Sequence, residues 1–144
     1  MIKKVIEITK TTQADDSVEL SWFDMQKPNL SAVTNTGLEF IIKAKFTHLH
    51  VGDILVCEDG YKIEVKKSED AIYLLEFSNR ITFAKAAYEI GNRHQPIKIE
   101  DYKITVLVDQ SISDIIANLY TDSRVSITKT KGYFHPNGKS HHSH

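Results

Sequence analysis

Residues 88–94, YEIGNRH, mark the point at which a predicted helix ends and the chain turns back into a strand. Gly91 follows Ile90, the last apolar position of that helix, and glycine adopts the left-handed conformation without a Cβ penalty. We therefore expect Gly91 to close the helix, while Pro96 prevents the helix from resuming. This places His94 on a short, constrained turn between a helix and a strand.

The segments around this turn alternate between strand and helix patterns. Strand patterns occur in four segments, residues 71–77, 96–99, 102–108 and 125–130. One helical pattern lies between the first two of these segments and another lies before the last. The resulting order β-α-β-β-α-β predicts a ferredoxin-like domain over residues 71–131, with two helices on one face of a four-stranded sheet.

Both predicted helices have a recognisable start and one apolar side. The first can be capped by Ser78 or Asn79, and the second begins at Ser111 with a capping-box-like pattern that includes Asp114. The apolar side of the first helix consists of Ile81, Ala84, Ala87 and Tyr88. The apolar side of the second consists of Ile112, Ile115, Ile116 and Leu119, spaced i, i+3, i+4 and i+7.

The first 66 residues carry strand and turn patterns and no helix of normal length. A strand is predicted over residues 18–23, and a hairpin is predicted around the turn dipeptide Asp59-Gly60. We therefore expect a small all-β domain over residues 1–67, so that the fold class of the whole chain is α+β. Residues 66–70 are polar or charged and are interpreted as a linker or as a solvated turn. Residues 132–144 are predicted to form a flexible tail.

Composition excludes several classes of protein. The formal net charge of the 144 residues is −1, which argues against a nucleic-acid-binding protein. No apolar run reaches the roughly 20 residues that span a membrane, and the N-terminus lacks the apolar region of a signal peptide. The single cysteine, Cys57, lies in an apolar run and is expected to be buried, as suits the cytoplasm. Phosphate-binding loops and catalytic motifs are missing, so the sequence does not indicate an enzyme.

Histidines are the residues best suited to chemistry in this chain. Besides His94, four histidines lie in the last ten residues, at His135, His141, His142 and His144. Imidazole is a common ligand of nickel, copper and zinc, but one histidine cannot hold a metal alone. A two-fold dimer would bring two copies of His94 together, and the tail would supply further donors. The alternative is that the tail is an expression tag or a solubility segment.

Two further histidines, His48 and His50, alternate in an extended segment. They are interpreted as surface residues, with a secondary metal site as the alternative.

The turn at 88–94 followed by Pro96 resembles the G-N-R-H segment of the UreE family of urease accessory proteins. The resemblance extends over almost the whole chain. It includes GDIL at residues 52–55, EDG at 58–60, GY at 132–133 and the histidine-bearing end.

This resemblance implies a cytoplasmic nickel metallochaperone of urease maturation. It implies an N-terminal domain likened to a peptide-binding module, and a ferredoxin-like metal-binding domain that forms a homodimer head to head. His94 would be the interfacial Ni²⁺ ligand, and His141, His142 and His144 would be auxiliary ligands. The protein would pass nickel to the urease-associated GTPase UreG and so to apo-urease. A secondary histidine site of some members is absent here, because residues 106–109 read VLVD.

Other functions remain compatible with the residues themselves. The histidines could be incidental in a protein-interaction module whose β domain binds a partner's peptide by strand addition. The same donors could also serve a general Zn²⁺- or Cu²⁺-binding protein, because imidazole ligands alone favour copper. A metal sensor is disfavoured because no basic recognition helix is present. The sequence leaves open the number of metals per dimer, the tail histidine that binds and the role of Arg93.

Overall fold

The computed structural model of the chain describes residues 1–10, 13–43 and 48–138. The chain divides into two compact units, Met1–Ser68 and Glu69–His144. Strands lie on both sides of this division, at Lys62–Lys67 and Asp70–Phe77. Only two residues, Ser68 and Glu69, therefore lie between these strands, so the connection is shorter than the polar stretch 66–70 suggested.

The first unit is built on one six-stranded sheet. Its strands are β1 (Lys3–Thr9), β2 (Asp16–Leu20), β3 (Leu30–Val33), β4 (Glu39–Ile42), β5 (Ile54–Cys57) and β6 (Lys62–Lys67). They are ordered β2-β6-β5-β1-β4-β3, so that β2 and β3 form the two edges. The hairpin between β5 and β6 is confirmed, and Gly60 has the positive φ of 86° that its turn requires.

The predicted strand over residues 18–23 is too long. It ends at Leu20, and the hydroxyl of Ser21 accepts a hydrogen bond from the Asp24 N–H, 3.1 Å away. This N-cap starts the five-residue helix α1 (Trp22–Gln26). The alternating pattern concealed the helix because a single capped turn buries only Met25.

The core of the first unit is formed by side chains from the sheet. Phe40, Leu55, Ile63 and Val65 are fully buried within it. Cys57 belongs to the same core, which confirms its prediction as a small buried hydrophobe, and burial raises the pKa of its thiol.

The second unit has the element order β-α-β-β-α-β. The strands are β7 (Asp70–Phe77), β8 (Ile97–Glu100), β9 (Lys103–Leu107) and β10 (Val125–Gly132), and the helices are α2 (Arg80–Asn92) and α3 (Ser113–Tyr120). The antiparallel sheet is ordered β10-β7-β9-β8, with β8 at one edge. All four apolar residues predicted for the second helix are buried, although Ile112 belongs to a 3₁₀ turn at Gln110–Ile112 that precedes α3.

Helix α2 buries a different side from the one that its apolar residues indicated. Its N-cap is Asn79, and the buried residues are Thr82, Ala86 and Ile90. Ile81 and Tyr88, expected on the apolar side, are 62% and 73% exposed. The sheet fixes which side of the helix faces the core, so an apolar stripe is left on the outside of the unit.

Residues 132–138 do not form the flexible tail that their composition suggested. Strand β10 continues to Gly132, and Phe134 is only 1% exposed. Asn137 and Gly138 form hydrogen bonds with β8. The buried ring of Phe134 and the hydrogen bonds to β8 therefore hold this segment in place, although it is rich in Gly, Pro and Asn, which are typical of loops.

Candidate functional site

The turn that carries His94 is closed by His94 itself and not by Gly91. Helix α2 includes Gly91, and the chain after it forms hydrogen bonds to carbonyls three residues back, as in a 3₁₀ turn. The Arg93 N–H donates to Ile90 O at 3.1 Å, and the His94 N–H donates to Gly91 O at 2.9 Å. The left-handed conformation occurs at His94, where φ is 58°. The predicted glycine cap is therefore wrong by three residues.

A positive φ at a residue with a Cβ is uncommon and costs about 1–3 kcal/mol. Histidine adopts this conformation more often than most residues, though less readily than glycine. His94 thus follows the end of α2, reverses the chain toward β8 and carries an exposed imidazole. The structure confirms the expected constrained turn and adds strain at the candidate ligand.

Arg93 connects this turn to the start of α3. Its two terminal nitrogens bind the two oxygens of Asp114 at 3.0 and 2.7 Å, and Nη1 also donates to Ser111 O at 2.6 Å. Such a bidentate pair fixes orientation as well as distance. The guanidinium lowers the pKa of Asp114 from 3.8 to about 2.

The predicted capping box at Ser111 is accordingly replaced by other contacts. Asp114 pairs with Arg93, and the Ser111 N–H donates a hydrogen bond to the carboxylate of Asp109 at 2.9 Å. Sequence reasoning left the role of Arg93 open, because residues 93 and 114 come together only through the packing of α2 against α3.

The outer side of α2 forms an open groove of about 410 Å³. Its lining consists of Ile81, Ala84, Lys85, Tyr88 and Glu89. Tyr88 precedes the helix end by four residues, a rise of about 6 Å, so the groove leads toward the turn that carries His94. An exposed apolar strip of this kind is typical of an interaction surface.

The other predicted ligands are not assembled with His94 in the described structure. His135 is exposed, and His141, His142 and His144 lie outside the described residues. Within 1–10, 13–43 and 48–138, no three His, Cys, Asp or Glu residues form a group that could hold a metal. A metal at His94 would thus need donors from the chain end or from a second chain.

His48 and His50 are exposed on either side of the buried Leu49, which confirms their prediction as surface residues. The Nδ1 atom of His48 contacts Oε1 of Gln26, and the backbone N–H of His50 donates to Asp53 at 2.8 Å.

Among the residues that the structure describes, no helix is both long enough and apolar enough to cross a bilayer.

Comparisons with known proteins cover the whole chain. The family model for the C-terminal domain of the UreE urease accessory protein matches residues 70–144, and the model for its N-terminal domain matches residues 2–67. A urease accessory protein UreE from Aliarcobacter butzleri (strain RM4018) is 65% identical over 144 residues, which is 100% of this chain and 97% of that relative.

More distant relatives carry the same description. Those from Burkholderia orbicola (strain AU 1054) and Paracidovorax citrulli (strain AAC00-1) are 29% and 28% identical over 76% and 85% of the chain. The chain spans 52% and 59% of the lengths of these two relatives.

Proposed function

The chain belongs to the UreE family of urease accessory proteins, and from this premise we propose that it is a nickel metallochaperone that binds Ni²⁺ at His94. The family consists of accessory proteins of urease maturation and not of enzymes, in agreement with the sequence prediction. The observation that carries the proposal is the exposed imidazole held at a strained helix end. Backbone strain persists where the surrounding structure maintains it, often at functional positions.

The proposed site is shared by two chains of a homodimer. The exposed apolar side of α2 supports a dimer through the C-terminal unit, because it leads to the turn and would be buried by a second copy. A two-fold axis repeats the same contacts on both chains. An axis that passes near the end of α2 would place the two His94 side chains on opposite sides of one metal.

Histidine donors suit a cargo that must be released. Two His94 side chains leave coordination positions open, and His141, His142, His144 or His135 could fill them and exchange. A site that depends on a movable segment can open, unlike the closed four-ligand site of a structural metal. The same donors would accept Zn²⁺ or Cu²⁺, so the choice of nickel depends on family membership.

The remaining parts of the proposal follow from the family. The C-terminal domain, residues 71–131, has ferredoxin-like topology and carries the metal site, and residues 1–67 form the partner-binding domain. The protein acts in the cytoplasm, and nickel passes to UreG and then to apo-urease.

Nickel calorimetry combined with solution mass tests the shared site. The proteins are the intact chain, His94→Asn, a chain that ends at Gly138, and Tyr88→Glu in the groove. Asparagine is preferable to alanine at position 94 because it tolerates the left-handed conformation. Tyr120→Glu is the matched control, because Tyr120 is an exposed tyrosine on α3 that does not line the groove.

We expect the intact chain and Tyr120→Glu to be dimers that bind nickel tightly. His94→Asn should lose the tightest binding, and Tyr88→Glu should lose both the dimer and this binding. The chain that ends at Gly138 should bind more weakly or with lower stoichiometry. Tight binding that survives His94→Asn and disappears on truncation would place the site in the tail and refute the proposal.

The acidity of the solution provides a second check. Imidazole binds nickel only after losing its proton, and histidine ordinarily titrates near pH 6.5. Nickel affinity should therefore fall as the pH decreases from about 8 to about 5.5. An affinity that stays constant over this range is incompatible with histidine ligands.

A second candidate function is supported by the edge of the first unit. Strand β3 is an edge strand, and a groove of about 460 Å³ beside it is lined by residues of β3 and β4, including Leu30 and Ile42. A peptide could bind there by strand addition. If this were the only function, partner binding would persist in the presence of a chelator and in His94→Asn.

A further inference from the structure

The last two residues that the structure describes, Asn137 and Gly138, cover the outer edge of β8. The side chain of Asn137 accepts a hydrogen bond from the Ile99 N–H and donates one to Ile99 O, both at 2.8 Å. The N–H groups of Asn137 and Gly138 donate to Ile97 O at 3.0 and 2.9 Å, and Gly138 O accepts from the Ile97 N–H at 2.8 Å. We call these five hydrogen bonds the β8 contact.

Asn137-Gly138 is the only Asn-Gly pair in the sequence, and this dipeptide is the one most prone to deamidation. The Gly138 nitrogen attacks the side-chain carbonyl carbon of Asn137, the new N–C bond closes a succinimide ring, and the carboxamide nitrogen leaves as ammonia with the amide proton. Glycine permits the attack because it has no Cβ to hinder the approach. The other asparagines are each followed by a residue that has a side chain; they are Asn29, Asn35, Asn79, Asn92 and Asn118.

The β8 contact keeps both reacting groups from meeting. The Gly138 N–H is bonded to Ile97 O, and the Asn137 carboxamide is fixed at both of its ends by Ile99. Ring closure requires rotation about the Cα–C bond of Asn137, which breaks these hydrogen bonds. Asn137 is nevertheless exposed and lies at a sheet edge, where local opening costs less free energy than unfolding of the whole unit. The reaction therefore proceeds from the open form, and the population of that form sets its rate.

The products of deamidation do not fit the β8 contact. Water opens the succinimide at either ring carbonyl and gives aspartate or isoaspartate. An aspartate at position 137 has no N–H to donate, so a carboxylate oxygen would face Ile99 O. Isoaspartate inserts a methylene into the backbone and moves Gly138 out of register with Ile97. The fit leaves little room for such a shift, because even a Cβ on Gly138 would lie 3.1 Å from Cγ2 of Ile97.

We propose that Asn137-Gly138 is a self-modification site guarded by β8, at which deamidation releases this segment from the sheet and leaves the edge of β8 open. The reaction needs only water, and it is one-way because ammonia is lost. An uncovered edge strand presents unpaired N–H and C=O groups to which another chain can pair. Aged chains would thus acquire a pairing surface that fresh chains lack. Nickel takes no part in this change, so its test leaves the proposed function untouched.

Two changes weaken the β8 contact without altering the Asn-Gly pair. Ile99→Pro removes the N–H to which Asn137 binds, and an edge strand tolerates proline where the N–H points outward. Phe134→Leu loosens the preceding chain, because the Phe134 ring is only 1% exposed. Tyr133→Leu is the matched control, since the neighbouring Tyr133 is 61% exposed.

The experiment incubates the full chain and follows deamidation by peptide mapping with mass spectrometry that separates aspartate from isoaspartate. It compares the folded chain, the same chain unfolded in guanidinium, and the three variants, whose folding is checked by circular dichroism. We expect Asn137 to deamidate between about tenfold and 1,000-fold more slowly in the folded chain than in the unfolded one, because the β8 contact must open first. Ile99→Pro and Phe134→Leu should each raise the folded rate about threefold or more, and Tyr133→Leu should not change it.

These rates decide whether β8 guards the site. Equal rates in the folded and unfolded chains would overturn the proposal, as would folded variants that all deamidate at the rate of the intact chain. Protection beyond the expected range would mean that the site reacts only when the whole unit unfolds, which also overturns it as a site of the native chain.

Release of the segment is measured by hydrogen exchange at the Ile97 N–H, whose acceptor is Gly138 O. The samples are the fresh chain, the aged chain and Asn137→Asp, with Asn118→Asp as the control because Asn118 is an exposed asparagine on α3 of the same unit. Exchange should be about fivefold faster in Asn137→Asp, faster still in the aged chain, and unchanged in Asn118→Asp. If exchange in both modified forms equals that of the fresh chain, the segment stays attached and the proposal is overturned.

Discussion

Among the described residues of the second unit, two turns hold a non-glycine residue in the left-handed conformation, and they use it differently. His94 has a φ of 58° and Tyr102, between β8 and β9, a φ of 57°. The ring of Tyr102 stacks on Phe83 with centroids 5.7 Å apart, and its carbonyl accepts from the Phe77 N–H at 2.9 Å. At His94 the side chain is exposed. Strain alone therefore does not indicate function. At His94 the strain coincides with an exposed imidazole, whereas at Tyr102 the ring packs on Phe83.

The largest expected effect separates the two turns by nickel binding. His94→Asn should reduce nickel affinity at least about 100-fold, because even residues that only support metal ligands contribute 10- to 100-fold. Its melting temperature should stay close to that of the intact chain, since asparagine tolerates the same φ. Calorimetry and thermal unfolding check the two halves. A variant that unfolds readily would mean that the imidazole is structural, as Tyr102 is.

The matching change at the other turn should affect stability and leave the metal alone. Tyr102→Asn keeps a residue that tolerates positive φ but removes the ring stacked on Phe83. We expect the free energy of unfolding of the second unit to fall by about 1–2 kcal/mol. Denaturant titration measures this loss, and nickel affinity should change less than about twofold. A large loss of nickel binding would show that the packing of the Tyr102 turn supports the site, and not only the turn at His94.

The sequence predicted those parts of the fold that depend on local pattern. The β-α-β-β-α-β order, the Asp59-Gly60 hairpin and the buried face of the second helix follow from spacing, turn chemistry and periodicity. It failed where two separated segments determine the outcome. The inner side of α2 depends on the sheet beneath it, and the residue that closes the turn depends on how α2 reaches β8.

The same distinction applies to the candidate site. His94 could be identified as a residue on a constrained turn, because the turn is local. The Arg93–Asp114 pair joins residues that are 21 positions apart, and the hydrogen bonds of Asn137 with Ile99 join residues that are 38 positions apart. Both contacts are made by residue types that are common in loops. No pattern within one segment predicts such contacts.

The smallest expected effect concerns the support of the His94 turn by Arg93. Because the pKa of Asp114 is lowered from 3.8 to about 2, its carboxylate contributes stability above pH 3.8, and this contribution is lost as the pH falls toward 2. In Arg93→Ala the carboxyl group should titrate near its ordinary pKa, because the partner that lowered it is gone. A carbon-detected NMR titration of Asp114 measures the shift directly. Asp122, whose pKa is lowered to about 2 by Arg124, should be unchanged in the same spectra and serves as the internal control.

Nickel affinity should decrease by a few fold at most in Arg93→Ala, and Arg93→Lys, which lacks the planar fork, should not restore it. If nickel binding is insensitive to both substitutions while the Asp114 titration moves, the pair stabilises the contact of α2 with α3 and does not position His94.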